Sequence, residues 1–189
     1  ASARRARPRW AGFSSSFEED RMTHAPIREP CLIVLVGAPG SGKSEWARRN
    51  GAGTVIVSQD DLIETITPHG FDYSFRPVYT AAEDAIGRAG LAAGFTVIVD
   101  RTNRTRALRE RWTRIAREAG CAAVAVAMTA GAELCRTRNR TRTDHRRVSD
   151  QRLERMLAAM EPVSCDEGFA AVFRDSEATL RNILAEDRP

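Results

Sequence analysis

Residues 37–44 carry the strongest chemical signal in the sequence. They read GAPGSGKS, which fits the pattern GxxxxGK[ST] of loops that bind the phosphates of a nucleoside triphosphate. The glycines let the backbone curl so that successive N–H groups point at an anion. Lys43 supplies a cation for the β- and γ-phosphates, and Ser44 supplies a hydroxyl ligand for Mg²⁺. The residues predicted to bind the nucleotide here are Gly37, Pro39, Gly40, Ser41, Gly42, Lys43 and Ser44.

Lys43 is the only lysine in the chain, because the other 28 of the 29 basic residues are arginines. An arginine-biased sequence has therefore kept a lysine where a phosphate loop requires one. An ordinary glycine-rich turn is the alternative interpretation, and it gives no reason for a lysine at this position. We predict ATP and Mg²⁺ as the cofactors of this site.

Short polar and acidic residues follow two further apolar runs, at positions that meet at the carboxyl edge of an open α/β sheet. Asp60 is predicted to be the general base that takes the proton of an acceptor hydroxyl, with a helix N-cap as the alternative. Asp100 is predicted to support Mg²⁺ through water, or else to cap the next helix. Thr102 and Asn103 are predicted to contact the acceptor, and capping is again the alternative.

A dense arginine segment follows the fourth apolar run, with arginines at positions 136, 138, 140 and 142. Residues two apart cannot share one helical face, so Arg138 is predicted to lie opposite Arg136 and Arg140. Arg142 leaves with the following loop, which is predicted to form a lid over the triphosphate. Guanidinium groups there would stabilise charge on the transferring phosphate. A solvated basic loop is the alternative.

The elements that position these residues alternate between apolar runs and helical patterns. The predicted strands are 31–36, 54–58, 95–99, 122–128 and 168–173, and the predicted helices are 43–50, 60–66, 78–93, 104–119, 131–140, 148–160 and 175–186. Strands that alternate with helices predict a parallel sheet covered on both faces. In helix 104–119 the stripe containing Leu108, Trp112 and Ile115 is predicted to face the core, and its arginines to face water. Residues 1–29 are predicted to be a flexible tail, and residues 30–189 one phosphotransferase domain.

Composition and charge narrow the classes of partner. The chain has 189 residues and a net charge of +4, but residues 101–118 and 136–155 each carry a local charge of +5. Such segments suit an anionic partner such as a nucleic acid strand, although solvated helix faces with ion pairs explain part of them. No apolar run is long enough to span a bilayer, and the four cysteines lack metal-ligand spacing. We therefore expect a cytoplasmic protein with no membrane partner and no metal cluster.

Together these residues resemble the kinase domain of 5′-hydroxyl polynucleotide kinases, which occur in phage and bacterial RNA-repair enzymes. The resemblance runs over residues 31–174 and rests on LVGAPGSGKSEWARR, on Asp60, on VIVDRTN and on the lid-like LCRTRNRTRTDHRRV. It implies a P-loop kinase-like three-layer α/β sandwich. The implied sheet has five parallel strands in the order 2-3-1-4-5, with helices on both faces and an arginine-rich lid.

The same resemblance implies roles for individual residues. Asp60 falls on the general base, Arg142 on the lid arginine that contacts the nucleotide phosphates with Arg138 beside it, and Thr102 where the acceptor strand is touched. One position departs from the family, because Ile63 stands where an arginine usually binds the acceptor phosphate. Arg101 is the candidate that would replace this contact.

The sequence therefore predicts a kinase that transfers the γ-phosphoryl group of ATP to the 5′-hydroxyl of a DNA or RNA end. Lys43, Asp60 and Arg142 are its predicted catalytic residues. A small-molecule kinase of the antibiotic or sugar-nucleotide type is the alternative, favoured by Ile63. An acceptor-free regulatory ATPase is a third reading, which the absence of an Asp-Glu pair after the third apolar run disfavours.

Overall fold

A computed structural model of the chain describes residues 27–142 and 146–184. Its strands are β1 (Cys31–Val36), β2 (Val55–Ser58), β3 (Val97–Asp100), β4 (Ala122–Ala127) and β5 (Ala171–Arg174). They form one sheet in the order β2-β3-β1-β4-β5, and every neighbouring pair is parallel. The predicted fold class and strand order are confirmed.

Helices cover both faces of this sheet, and every residue of β1 is consequently buried. The helices are α1 (Lys43–Asn50), α2 (Gln59–Ile66), α3 (Arg76–Ala92), α4 (Arg106–Glu118), α5 (Ala132–Arg140), α6 (Asp150–Ala158) and α7 (Leu180–Ile183). Leu32 and Val34 point to one face, where they pack with Trp112 of α4. Ile33 and Leu35 point to the other face, where Trp46 of α1 covers them. This alternation is the period-two pattern of a strand.

The last predicted helix is much shorter than the sequence pattern suggests. It was expected over 175–186, whereas α7 begins at Leu180. Thr179 ends the preceding loop, because its side chain accepts a hydrogen bond from the backbone N–H of Asn182 and so caps the helix. An N-cap residue has an extended backbone, so residues before it are not helical. Residues 175–179 consequently form a loop at the carboxyl end of β5.

One arginine of α4 contradicts the expectation that the arginines of this helix face water. Arg109 is fully buried, and its guanidinium donates to both carboxylate oxygens of Glu167 at 2.6 and 2.7 Å. It also donates to the carbonyl of Asn103. Helical periodicity cannot reveal such a partner, because Glu167 lies 58 residues further along the chain. The arginine therefore holds α4 against both the segment before β5 and the turn after β3.

The described chain is packed from its first residue. Ile27, which lies in the range predicted to be a tail, is buried and pairs with Leu184 in an isolated parallel bridge. The remainder of that range, residues 1–26, lies outside the described residues. Within 27–142 and 146–184, no helix has the length and apolar character needed to cross a membrane.

Candidate active site

Residues 37–44 form the phosphate loop, which joins β1 to α1 and has a backbone shape that requires glycine. Gly40 and Gly42 have φ angles of +79° and +106°, in the left-handed region that side chains disfavour. A Cβ atom on Gly40 would also lie only 2.7 Å from the carbonyl oxygen of Cys135 on α5. The two glycines thus allow the tight curl and let α5 approach the loop closely.

Lys43 is buried under the phosphate loop rather than extended into solvent. Its Nζ donates to the carbonyl of Ala38 at 2.9 Å and to Ser41 Oγ at 3.4 Å. Burial lowers the pKa of Lys43 to about 8, and the nearby charge of Arg142 acts in the same direction, while Asp100 opposes both. An anion in the loop would favour the charged form of this lysine again.

The turn after β3 supports the phosphate loop through backbone groups. The N–H of Gly37 donates to the carbonyl of Thr102 at 3.0 Å. Asn103 is buried, and its backbone has a φ angle of 42°. Its side-chain amide donates to the carbonyl of Leu35 at 2.8 Å. The amide of Asn103 is therefore committed to holding the end of β1. Contact of Thr102 and Asn103 with an acceptor stays a prediction.

Asp100 and Ser44 bring two oxygen ligands together beside Lys43. The hydroxyl of Ser44 faces the carboxylate of Asp100. Burial raises the pKa of Asp100, and the interactions with Ser44 and with the Lys43 ammonium oppose the rise. Ser44 and Asp100 are hard oxygen donors of the kind that Mg²⁺ prefers.

The capping alternative for Asp100, Thr102 and Asn103 is wrong. The residue that caps α4 is Thr105, whose side chain accepts a hydrogen bond from the N–H of Leu108.

Asp60 lies in the first turn of α2, with its side chain half exposed. The cap of this helix is Ser58, whose hydroxyl accepts from the N–H of Asp61 at 3.3 Å, so the capping alternative for Asp60 is wrong. The carboxylate of Asp60 instead faces a guanidinium, because Arg142 Nη2 lies 3.8 Å from its Oδ2. Electrostatic interaction of Asp60 and Arg142 with Lys43 connects them to the phosphate loop.

A cavity of about 740 Å³ opens over the phosphate loop on the side of β5. Arg138 and Arg142 line it together with residues of the loop 175–179. Arg138 also donates to the carbonyl of Gly40 at 3.3 Å, whereas Arg136 points away and pairs with Glu154. Lining residues that the sequence analysis did not identify are Glu45, Trp46, Arg49, Asn50, Asp175, Ser176, Ala178 and Thr179. The sequence analysis did not identify the lining residues of loop 175–179, because this segment was predicted to be part of a helix.

Arg101, the proposed replacement for the arginine absent at Ile63, is already paired in this structure. Its guanidinium donates to Glu83 Oε2 at 2.7 Å, and Arg111 donates to the same oxygen at 2.9 Å. Glu83 is fully buried, and within the described residues its other oxygen, Oε1, has no hydrogen-bond partner. The charge of Arg101 is therefore partly neutralised, and its contact with an acceptor stays a prediction.

About half of the arginines in segments 101–118 and 136–155 are paired with carboxylates from other elements. These pairs include Arg106–Asp166, Arg109–Glu167, Arg111–Asp84, Arg136–Glu154, Arg142–Asp60 and Arg146–Glu64. Such pairs reduce the local charge of +5 that each segment carries in the sequence. Net charge alone is consequently weak support for a nucleic acid partner.

Comparison with known proteins identifies the family. A family model described as an AAA domain matches residues 32–163. The chain belongs to this family. The match of this AAA domain begins in β1 and ends beyond α6, so it includes the phosphate loop, Asp60 and Arg142. No curated protein matches the sequence significantly.

Solved structures show that this AAA domain has the α/β fold of P-loop kinases. Kti12 of Chaetomium thermophilum, solved with ADP-AlF3, is 20% identical with a TM-score of 0.59, and the match covers 76% of this chain and 87% of that chain. A chain of the Pnkp1/Rnl/Hen1 RNA repair complex is 23% identical with a TM-score of 0.59, and the match covers 75% of this chain but only 46% of that chain. A gluconokinase from Sinorhizobium meliloti 1021 is 23% identical with a TM-score of 0.53, and the match covers 84% of this chain and 91% of that chain. The coarse assignment is a P-loop kinase-like domain.

Proposed function

We propose that this chain is an ATP-dependent kinase that transfers the γ-phosphoryl group to the 5′-hydroxyl of a DNA or RNA end. The observation that carries the proposal is the position of Arg142. This arginine lines the cavity over the phosphate loop and also lies 3.8 Å from the carboxylate of Asp60. A phosphate bound in the loop would thus lie near the carboxylate of Asp60, the group best suited to activate an acceptor hydroxyl.

The chain's own residues account for nucleotide binding. Backbone N–H groups of the phosphate loop bind the phosphates, and the N-terminal end of α1 adds its positive dipole. Lys43 Nζ exchanges its contact with the carbonyl of Ala38 for phosphate oxygens. Arg138 and Arg142 approach from α5 and its exit, where guanidinium groups neutralise charge that develops on the transferring group.

Asp60 acts on the acceptor. Its carboxylate takes the proton of the 5′-hydroxyl as the hydroxyl oxygen forms a bond to the γ-phosphorus. The bond from that phosphorus to the oxygen bridging the β- and γ-phosphates breaks, and ADP leaves with the electron pair. Separation of Asp60 from Arg142 during nucleotide binding frees the carboxylate for this role.

Ser44 and Asp100 are the residues that would hold Mg²⁺, Ser44 directly and Asp100 through water. The fit rests on the interaction between them, which brings a hydroxyl and a carboxylate together at the phosphate loop beside Lys43. Mg²⁺ bound there would neutralise the β- and γ-phosphates. Lys43 and Arg142 act on the same charge from within the protein.

A small-molecule kinase is the second candidate. It is favoured by Ile63, which offers no charge to an acceptor phosphate, and by the pairing of Arg101 with Glu83. Such an acceptor requires only the region around Asp60, Thr102 and Asn103. Binding of a nucleic acid strand should weaken steeply as salt is raised, whereas binding of a small neutral acceptor should not.

Incubation with γ-labelled ATP and a panel of acceptors tests the proposal. The panel contains 5′-hydroxyl DNA and RNA strands, the same strands with a 5′-phosphate, and small sugar and antibiotic alcohols. We expect label on the 5′-hydroxyl strands and none on the 5′-phosphorylated controls. Label confined to small alcohols would establish the second candidate. Release of labelled phosphate at the same rate without any acceptor would indicate a regulatory ATPase.

A further inference from the structure

A stretch of eight exposed residues, 71–78, comprises the end of the connection between α2 and α3 and the first turn of α3, and it has no role in the proposed reaction. It reads FDYSFRPV. The exposed fractions of Phe71, Tyr73 and Phe75 are 46%, 69% and 41%. We call Phe71, Tyr73, Phe75 and Arg76 the aromatic ridge. Isolated exposed apolar residues are ordinary, but a group of large rings on one short segment is characteristic of a binding surface.

The aromatic ridge is fixed to the body of the domain from below. Tyr79 of α3 is buried, and its ring centroid lies 5.7 Å from that of Phe71. Its hydroxyl is hydrogen-bonded to Thr67 and accepts from the N–H of Asp72 at 3.3 Å. The carboxylate of Asp72 in turn accepts from the N–H of Ser74 at 2.8 Å. The exposed rings are therefore presented by an anchored turn, which reduces the entropy cost of binding.

Two guanidinium groups accompany the rings. Arg76 lies 5.7 Å from the ring centroid of Tyr73, and Arg152 of α6 lies 5.9 Å from that of Phe71. Neither arginine contacts a carboxylate within residues 27–142 and 146–184, in contrast to Arg106, Arg109 and Arg136. The surface thus combines aromatic faces with cations that are not neutralised. Single-stranded nucleic acids are bound by this combination, because bases stack on rings while phosphates meet guanidinium groups.

The aromatic ridge is also continuous with the proposed acceptor site. It follows α2, which carries Asp60 in its first turn. The charge of Arg76 acts on the guanidinium of Arg101, the residue that follows β3, and Glu83 partly neutralises that guanidinium. A small acceptor at Asp60 would not need the rings or Arg76.

We propose that the aromatic ridge binds the nucleotides that follow the 5′ end of a single-stranded acceptor, with bases stacked on Tyr73 and Phe75 and a phosphate held by Arg76. This inference rests on the proposed function, since it assigns a strand rather than a small alcohol to the site of Asp60. The ridge supplies affinity for the strand. It takes no part in phosphoryl transfer, so a dinucleotide acceptor would not reach it.

The test measures binding of a 5′-hydroxyl single strand of about twelve nucleotides, labelled at its 3′ end, by fluorescence anisotropy. The double variant Tyr73→Ala/Phe75→Ala should raise the Kd at least about tenfold, because stacking on an aromatic ring contributes substantially for each base. Tyr73→Trp should keep wild-type affinity, because it restores a stacking surface. Arg76→Gln should reduce the slope of log K against log salt by roughly 0.7, the value for one phosphate contact on a single strand.

Phe95→Ala is the matched control, since Phe95 is 51% exposed but precedes β3 at the opposite edge of the sheet. Its Kd should be unchanged, and the double variant should phosphorylate a dinucleotide acceptor as the wild type does. Unchanged strand affinity in the double variant overturns the inference, even if the wild type phosphorylates strands. The inference is also overturned if the wild type is a dimer, the double variant is a monomer and the two bind the strand equally well, because the aromatic ridge would then be a dimer contact.

The two proposals can fail separately. If the wild type binds the strand through the aromatic ridge but labels no 5′-hydroxyl, the ridge is a strand-binding site and the kinase proposal is wrong. If the wild type labels strands and the double variant binds them normally, the kinase proposal stands and the ridge is wrong. A wild-type protein that neither binds nor labels strands contradicts both proposals.

Discussion

The two ends of the carboxyl edge of the sheet are constructed in different ways. On the nucleotide side, at β1, β4 and β5, the site is formed by backbone geometry: a curled loop, two glycines with positive φ angles and a buried lysine. On the proposed acceptor side, at β2 and β3, the site is formed by side chains that pair across elements, such as Asp60 with Arg142 and Arg101 with Glu83.

This difference teaches which side is ready to bind before its ligand arrives. The phosphate loop needs no rearrangement beyond the exchange of Lys43 Nζ from a carbonyl to an anion. On the proposed acceptor side, Asp60 would have to exchange the guanidinium of Arg142 for a hydroxyl. If Asp60 has the proposed role, binding of nucleotide prepares this side, because phosphates compete with Asp60 for Arg142.

Asp60→Asn should separate the two sides most sharply. We expect turnover to fall at least about 100-fold, because a general base contributes on the order of 10²–10⁴. Affinity for ATP should not weaken, since Arg142 loses a competing partner. Steady-state kinetics and calorimetric titration with ATP measure the two effects. Near-normal turnover would remove Asp60 from the mechanism.

Arg101→Ala tests whether the paired arginine contributes to the acceptor side. We expect the KM for a 5′-hydroxyl strand to rise about tenfold, as for loss of one charge-assisted contact. Arg111→Ala is the control, because Arg111 donates to the same oxygen of Glu83 but lies on α4. Both variants should lower the melting temperature. An equal rise in KM in both would mean that the effect is structural, and an unchanged KM in Arg101→Ala would exclude the contact.

The smallest expected effect lies on the nucleotide side and concerns protons. The pKa of Lys43 is lowered to about 8 by burial, so near pH 8 about half of the free protein has a neutral lysine. Phosphates favour the charged form, so binding of ATP should take up about half a proton at this site. Calorimetry in buffers of different ionisation enthalpy measures the uptake. Lys43→Arg is the control, because arginine stays protonated; an equal uptake in that variant would contradict the assignment.

The sequence was sufficient to predict the sheet and the position of the phosphate loop between β1 and α1, because both depend on local patterns. Continuous apolar runs such as 31–36 indicate strands that are buried on both faces. The phosphate loop is a contiguous motif whose glycines and single lysine are visible without any knowledge of the fold. The opposite orientation of Arg136 and Arg138 also followed from helical geometry alone.

The rest depended on partners that are distant in the chain. The burial of Arg109 requires Glu167, and the pairing of Arg101 requires Glu83; neither spacing follows a helix or strand period. The composition of residues 175–179 resembles that of a helix. These residues form a loop that lines the cavity, because the cap at Thr179 makes α7 begin only at Leu180. The rings of the aromatic ridge could not be distinguished from core aromatics, because exposure is a property of the folded chain.

Trp46 joins the first helix to the last loop of the cavity. Its indole N–H donates to the carbonyl of Ala178 at 2.9 Å, across 132 residues of chain. During synthesis on the ribosome, the phosphate loop emerges long before the segment that this indole anchors. Contacts of such large sequence separation form late and slowly. A nascent chain would therefore carry the complete glycine motif while still lacking one wall of its nucleotide cavity.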